Sequence, residues 1–139
     1  MKKMLSLMMS AVLMTGTVPF VPLQTNAAGN QYEFEKGSIT DKGENKAELV
    51  SVKGASGGKA VDLKDGGNSV SVNVDAESGM HRITFRYYQP YDEDGKYQNI
   101  IVNSKNIGEI FCEYTGDGQF KTVSVNANLK QGKNDITVE

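Results

Sequence analysis

The chain has 139 residues and a net charge of −2, with 15 basic and 17 acidic residues. These charges are interspersed and form no basic block or stripe, which argues against nucleic acid as a partner. A chain of this length holds one domain with a modest core.

The first 28 residues have the layout of a secretory signal peptide. Two lysines form a short positive region at the start, and the stretch 4–18 that follows is nearly all apolar or small. This run is too short and too interrupted to span about 30 Å of hydrocarbon. Small residues suit cleavage after Ala27 or Ala28. We therefore predict a signal peptide over 1–28 and a secreted domain over 29–139, with no membrane attachment after cleavage.

The mature part alternates short strand-like runs with turns rich in Gly, Asn, Asp and Ser, and it contains no amphipathic helical pattern. Strands are predicted, in chain order, over residues 31–35, 47–52, 69–74, 80–89, 98–103, 106–114, 121–129 and 134–138. In the longest of these runs, one face carries His81, Ile83, Phe85 and Tyr87. About eight short strands predict an all-β fold, an antiparallel two-sheet sandwich of Greek-key or jelly-roll type.

The sequence offers little for catalysis. His81 is the only histidine, and its phase places it at the edge of the apolar face rather than in the role of a base. Cys112 is the only cysteine, and we expect it to be a small buried hydrophobe. These two residues cannot assemble a catalytic triad or a multi-histidine zinc site. We therefore predict that the chain is not an enzyme.

Two features suit binding, and each also has a plainer interpretation. Glu33 and Glu35 are two apart on a predicted strand, so both carboxylates project from one face and could attract Ca²⁺, or could simply form a solvated face. The loop 87–98 is rich in aromatic and polar residues, which suit the apolar face and the hydroxyls of a pyranose. The same loop could instead hold a core tyrosine and an acidic tip that adds solubility.

Several motifs in order resemble the carbohydrate-binding modules of families 6 and 35, with family 35 the closer, over residues 31–139. The motifs are YEFE (32–35), ASGGKAVDL (55–63), GNSVSV (67–72), ITFRY (83–87), IVN (101–103) and LKQGKNDI (129–136). The resemblance implies a galactose-binding-like jelly roll attached to a secreted plant-cell-wall hydrolase. It also implies that the chain lacks the last strand of this domain.

The resemblance implies two sites. A structural calcium ion in the complete domain would be held by Glu33, Glu35 and the turn that ends at Lys59. A sugar site would lie at the loop end of the sandwich, with contacts expected from Tyr88, Gln89, Tyr97, Asn103 and Asn68.

The resulting hypothesis is a non-catalytic carbohydrate-binding module, a monomeric unit within a larger multidomain enzyme. It would hold a secreted glycoside hydrolase on plant polysaccharide and so raise the local concentration of the enzyme. The expected ligand is mannan or galactomannan, with xylan or pectic uronic acid as second choices. An alternative from another class is a calcium-stabilised structural or adhesive spacer of a cell-surface protein, which would have no glycan site.

Overall fold

The structure is a computed structural model that describes residues 11–15 and 30–139. In these residues, the helical segments are two short 3-10 turns, Phe34–Lys36 and Ser56–Gly58, and no helix is long and apolar enough to cross a membrane. The eleven strands are β1 (Ala11–Thr15), β2 (Asn30–Tyr32), β3 (Ser38–Thr40), β4 (Glu48–Ser51), β5 (Lys59–Asp62), β6 (Ser69–Ala76), β7 (Gly79–Tyr87), β8 (Lys96–Val102), β9 (Lys105–Cys112), β10 (Lys121–Leu129) and β11 (Gly132–Val138).

The strands form two main sheets and one separate hairpin. The first sheet has four strands in the order β10-β7-β1-β2, and the second has five in the order β3-β6-β11-β8-β9. Strands β4 and β5 pair only with each other among the described strands. Every described pairing is antiparallel. Consecutive strands such as β6 and β7 lie in different sheets, as in a jelly roll, so the predicted all-β sandwich is confirmed.

The core lies between the inner faces of the two sheets. The alternating valines of β6 face inward from one sheet, and Ile83 and Phe85 of β7 face inward from the other. Phe34 enters the same core from the first 3-10 turn and packs on Phe85, with ring centroids 6.2 Å apart. His81 is buried at the edge of this face, with Nε2 2.8 Å from the Glu77 carbonyl oxygen. The alternation predicted for the run 80–89 is therefore confirmed, and β6 alternates in the same way.

Two parts of the strand prediction were wrong. The strand predicted over 31–35 ends early, because a 3-10 turn from Phe34 to Lys36 carries Phe34 into the core. Gly37 then passes so close to β6 that a Cβ at this position would lie 2.3 Å from the Ser71 carbonyl oxygen. The short strands β3 and β5 were missed. The last three residues of β5 are all buried, so this strand lacks the alternation that a half-exposed strand shows.

Strand β1 lies inside the stretch predicted to be a signal peptide, and the rest of that stretch lies outside the described residues. Its backbone pairs with β7 on one side and β2 on the other, so that Val12 lies opposite both Phe85 and Tyr32. The boundaries predicted at residue 28 remain a prediction. In the structure, β7 has β1 as one of its two neighbours.

Cys112 is a buried free thiol, as predicted. Burial raises the pKa of its thiol to about 12, so the nucleophilic thiolate is suppressed at neutral pH. The residue packs as part of the hydrophobic core.

A chain that starts at Gly29 should show faster amide exchange in β7 than the 139-residue chain. Removing β1 deprives the backbone of Arg82–Arg86 of one set of hydrogen-bond partners. Hydrogen–deuterium exchange followed by mass spectrometry would measure this. Strand β8 keeps both neighbours and serves as the internal control. Unchanged protection of β7 would contradict the described pairing.

Candidate functional site

Glu33 and Glu35 meet beside the turn Ser56–Gly58. Ser56 Oγ donates a hydrogen bond of 2.5 Å to Glu33 Oε1, and Gln31 Nε2 donates one of 2.8 Å to the same oxygen. A Cβ at Gly57 would lie 3.1 Å from Glu35 Oε1, at a φ of +65°, so glycine lets this turn approach the carboxylate. The 3-10 turn, rather than one face of a strand, brings the two acids together.

The electrostatics of this pair suit a hard cation. Glu33 Oε2 and Glu35 Oε2 are both buried and have no hydrogen-bond partner among the described residues. Burial chiefly, and also the Glu33 carboxylate, raise the pKa of Glu35, while backbone hydrogen bonding and Lys36 act in the opposite direction. A bound Ca²⁺ ion takes oxygen ligands, so it would stabilise two carboxylates whose buried oxygens accept no hydrogen bond. The residues therefore fit calcium.

The remaining ligands of such an ion would be neutral oxygens. In the described ranges, no three His, Cys, Asp or Glu side chains gather as a metal site, so Glu33 and Glu35 would supply the charge and Ser56 a hydroxyl. Lys59 follows the turn directly as the first residue of β5, and its side chain is exposed. No contact in the described part of the chain joins that side chain to the acids.

A second candidate site is a cavity of about 380 Å³ between the β4–β5 hairpin and two loops. We call it the loop cavity. It is lined by Glu48, Val50, Ser51, Val52, Lys53, Asp62, Tyr88, Tyr91, Asp117 and Gly118. Its volume is in the range of small-ligand sites, and it combines aromatic rings with polar groups.

Tyr88 is a fixed wall of the loop cavity. Its ring is buried and packs on Phe120, with centroids 5.3 Å apart. Its hydroxyl donates to Asp117 Oδ1 at 2.8 Å and accepts from the Gly118 N–H at 3.2 Å. Burial first, and then Asp117, raise the pKa of Tyr88, so the hydroxyl stays protonated. Tyr91 differs in being 53% exposed, so its ring is accessible to a ligand.

Gln89 shapes the loop that carries Tyr91. The side chain of Gln89 is only 1% exposed. Its Nε2 donates to the Asp92 carbonyl at 2.6 Å, and its Oε1 accepts from the N–H groups of Tyr91 and Asp92 at 3.0 Å each. The amide is therefore engaged within the protein, and its predicted contact with sugar remains untested.

Asn68 and Asn103 also hold backbone segments together. The buried Asn68 amide accepts from the N–H groups of Lys42 and Gly43 and donates to the carbonyls of Asn45 and Leu63. Asn103 donates to Asn134 Oδ1 at 2.9 Å and accepts from the Asp135 N–H at 3.0 Å, which joins the turn between β8 and β9 to strand β11. Neither lines the loop cavity. Their predicted sugar contacts also remain untested.

Tyr97 lies on a different surface from Tyr88. It is 66% exposed on β8, directly opposite Phe111 of β9, and the two rings are 4.8 Å apart at an interplanar angle of 43°. A Cβ at Gly95 would lie 2.5 Å from the Phe111 ring, so glycine makes room for that ring. The tyrosines predicted together are thus divided between the loop cavity and an exposed aromatic pair, Tyr97–Phe111.

Sequence reasoning missed Tyr91, Asp117 and Phe111 as candidate site residues. Tyr91 lies in the aromatic loop that was singled out, so exposure of its ring was the missing information. Asp117 lies in a Gly-rich turn far from Tyr88 in sequence, and no pattern links the two. The pairing of Phe111 with Tyr97 depends on the register of β8 with β9, which includes a bulge between Ile100 and Ile101.

The fold is that of the carbohydrate-binding modules of family 35 type. The chain is 26% identical to a family 35 module from Clostridium thermocellum, with a TM-score of 0.67 over 77% of this chain and 82% of that one. An exo-β-1,3-galactanase from Phanerochaete chrysosporium, solved with β-1,3-galactotriose, is 28% identical with a TM-score of 0.69. That match covers 80% of this chain and 27% of the galactanase.

A family 36 carbohydrate-binding module in complex with calcium and xylotriose shares the fold at 18% identity, with a TM-score of 0.59 over 77% of this chain and 82% of that one. No family profile and no curated protein sequence matches the chain. The chain spans about a quarter of the galactanase that it matches.

Calcium should decide whether the wild type or the variant Glu35→Gln is the more stable protein. In metal-free buffer at neutral pH, the variant should be at least as stable as the wild type, because it removes one charge from a partly buried pair. In millimolar Ca²⁺ the wild type should become the more stable, because binding to the folded state raises its melting temperature. Thermal unfolding with a calcium titration measures both.

The pH dependence of the same comparison follows from the raised pKa of Glu35. Folding disfavours the ionised form of Glu35, and this lowers the free energy of unfolding of the wild type. The loss is greatest at a pH above the pKa of Glu35 in the folded state, and it vanishes at a pH below its pKa in the unfolded state. The metal-free advantage of Glu35→Gln should therefore shrink as the pH falls through the folded pKa. The exposed Glu109 on β9 provides the control Glu109→Gln. A full calcium effect in Glu35→Gln would contradict the site.

Substituting Asn68→Ala should lower the free energy of unfolding by about 1–3 kcal/mol, because it leaves buried backbone groups without partners. Urea unfolding measures this. Asn73→Ala, at an exposed position of β6, should change it by less than about 0.5 kcal/mol. Weakened sugar binding with unchanged stability would instead make Asn68 a ligand contact.

Proposed function

We propose that this chain is a non-catalytic module that binds plant polysaccharide in the loop cavity. The observation that carries the proposal is the exposed Tyr91 ring beside the fixed hydroxyl of Tyr88 and the carboxylate of Asp117. This combination suits a pyranose, which has an apolar C–H face and a rim of hydroxyl groups.

Each group in the cavity has a distinct task in this proposal. The Tyr91 ring packs on the apolar face of one sugar residue. The carboxylate of Asp117 accepts a hydrogen bond from a sugar hydroxyl, and such charge-assisted bonds are stronger than neutral ones. Tyr88 holds Asp117 in place through its hydroxyl, and its own ring is fixed by Phe120. A preformed wall lowers the entropy lost on binding.

The predicted roles of the remaining residues follow from their contacts. We propose that Gln89 acts by positioning Tyr91, and that Asn68 and Asn103 act by holding turns. Tyr97 remains a candidate for a separate contact surface with Phe111, favoured by the exposure of both rings.

The proposed ligand is mannan or galactomannan first, and xylan or pectic uronic acid second. The support for a plant-cell-wall glycan is the motif series shared with family 35 modules. Similarity to a β-1,3-galactanase adds β-1,3-galactan to the ligands worth testing. That match covers only 27% of the galactanase, which supports a module that is one part of a larger enzyme. We propose that this module is a monomeric unit that tethers the catalytic part of a secreted enzyme to its substrate.

We also propose that Glu33, Glu35 and Ser56 hold a structural Ca²⁺ ion. Such an ion would neutralise the buried carboxylate oxygens and join the start of the domain to the turn before β5. The calcium complex of a family 36 module with this fold supports the proposal. A calcium-stabilised spacer without a glycan site is the alternative, and the exposed Tyr91 ring at the loop cavity favours sugar binding over it.

Two exposed tyrosines provide a matched test. Tyr91→Ala should weaken binding by about tenfold or more, because it removes the stacking ring. Tyr97→Ala removes a ring of the same kind from a different surface and should leave most of the affinity. Affinity gel electrophoresis against mannan, galactomannan, xylan, pectin and β-1,3-galactan measures both, with circular dichroism to confirm folding.

The alternative outcomes are distinct. Loss of binding in Tyr97→Ala alone would move the site to the Tyr97–Phe111 pair. If folded wild-type protein is not retarded by any of these polysaccharides, the proposed function is wrong and the spacer reading gains support.

A further inference from the structure

The loop cavity is lined by more acids than bases. Glu48, Asp62 and Asp117 contribute carboxylates, and Lys53 is the basic residue in the same lining. Lys53 is exposed and lies in the turn that follows β4. Asp62 is only 4% exposed, so its charge is screened less by solvent than that of a surface acid. With Lys64 counted as well, which pairs with Glu48 from outside the lining, three acids meet two bases and the formal charge around the cavity is −1.

A nearby lysine does not supply a binding cation. The Lys64 ammonium lies 2.5 Å from Glu48 Oε1, and this hydrogen bond is the main cause that raises the pKa of Lys64. The backbone N–H of Lys64 donates a hydrogen bond to Asp62 Oδ1 at 3.2 Å. Lys64 thus holds two of the acids in place from outside the lining.

The wall formed by Tyr88 and Asp117 offers a ligand acceptors rather than donors. Carboxylates accept hydrogen bonds and cannot donate them. The Tyr88 hydroxyl already donates its proton to Asp117 and accepts from the Gly118 N–H. A ligand must therefore bring its own donors to this wall. Sugar hydroxyl groups do so, whereas a carboxylate would bring only acceptors and a like charge.

We infer that the loop cavity selects neutral sugars and rejects uronic acids, a conclusion that rests on the proposed sugar-binding role of the same cavity. Within the ligands considered above, this favours mannan, galactomannan or unsubstituted xylan over pectic uronic acid. Asp117 is the specificity-determining residue, because it is an exposed acid of the lining and the Tyr88 hydroxyl fixes its carboxylate at 2.8 Å.

A groove beside Phe111 also carries cations, but both are engaged. The Arg86 guanidinium lies 3.9 Å from the centroid of the Phe120 ring and donates to the Gly54 carbonyl at 3.0 Å. Lys121 pairs with Glu113 at 2.8 Å and thereby lowers the pKa of that carboxyl. This groove therefore offers no ready counter-charge for a uronate.

The test compares two ligands that differ only at C6. Mannohexaose and hexamannuronate share the β-1,4-linked manno configuration, but each residue of the second carries a carboxylate. At low salt, the neutral hexasaccharide should bind at least about tenfold more tightly by titration calorimetry. Asp117→Asn should lower the ratio of the two affinities, because the amide oxygen still accepts a hydrogen bond from Tyr88 but carries no negative charge. Added salt should lower it too.

The control variant is Asp75→Asn, which removes the same charge from an exposed position of β6 outside the cavity and should keep the wild-type ratio. The wild type could bind hexamannuronate as tightly as mannohexaose, or more tightly, and lose this binding in Tyr91→Ala. That result would overturn the inference and leave the sugar-binding function intact. An unchanged ratio in Asp117→Asn would overturn the role of Asp117. If the wild type bound neither these ligands nor any polysaccharide, the proposed function itself would be wrong.

Discussion

Burial of the alternating faces of β6 and β7 against each other is the constraint on which the rest of the structure depends. Val70, Val72 and Val74 face Ile83 and Phe85 across the sandwich, and all are almost completely buried. Because the side-chain period of a strand is two, a slip of one residue in either strand would turn this set towards solvent. With this register fixed, the loop cavity forms outside the two main sheets, from turns and from the β4–β5 hairpin.

Those turns are held by polar side chains that contact backbone. Asn68, Gln89 and Asn134 each make several such hydrogen bonds while buried. A chain with one cysteine has no disulfide to perform this task. The same residue types that suit a sugar ligand are therefore used to keep the loops in place. Amide composition in a loop is for this reason a poor guide to which residues contact a ligand.

Two groups of acids in this protein have opposite consequences because their surroundings differ. Glu33 and Glu35 keep oxygens buried without donors, and the pKa of Glu35 is raised, so a cation would relieve a strain in that place. Asp117 is exposed to solvent and already accepts from Tyr88, so it can exchange water for a sugar hydroxyl. The first group is suited to stability and the second to recognition.

The sequence by itself determined the all-β fold, the inward faces of β6 and β7 and the buried Cys112, because alternation acts locally along the chain. Glu33 and Glu35 meet through a 3-10 turn, which alternation did not predict. The separation of Tyr88 from Tyr97 and the presence of Tyr91 and Asp117 in the lining of one cavity were decided by the tertiary structure alone. Both depend on how the loops fold back and on the register of β8 with β9, including its bulge. The alternation of residues along one strand does not predict which turns, connecting different strands, come together.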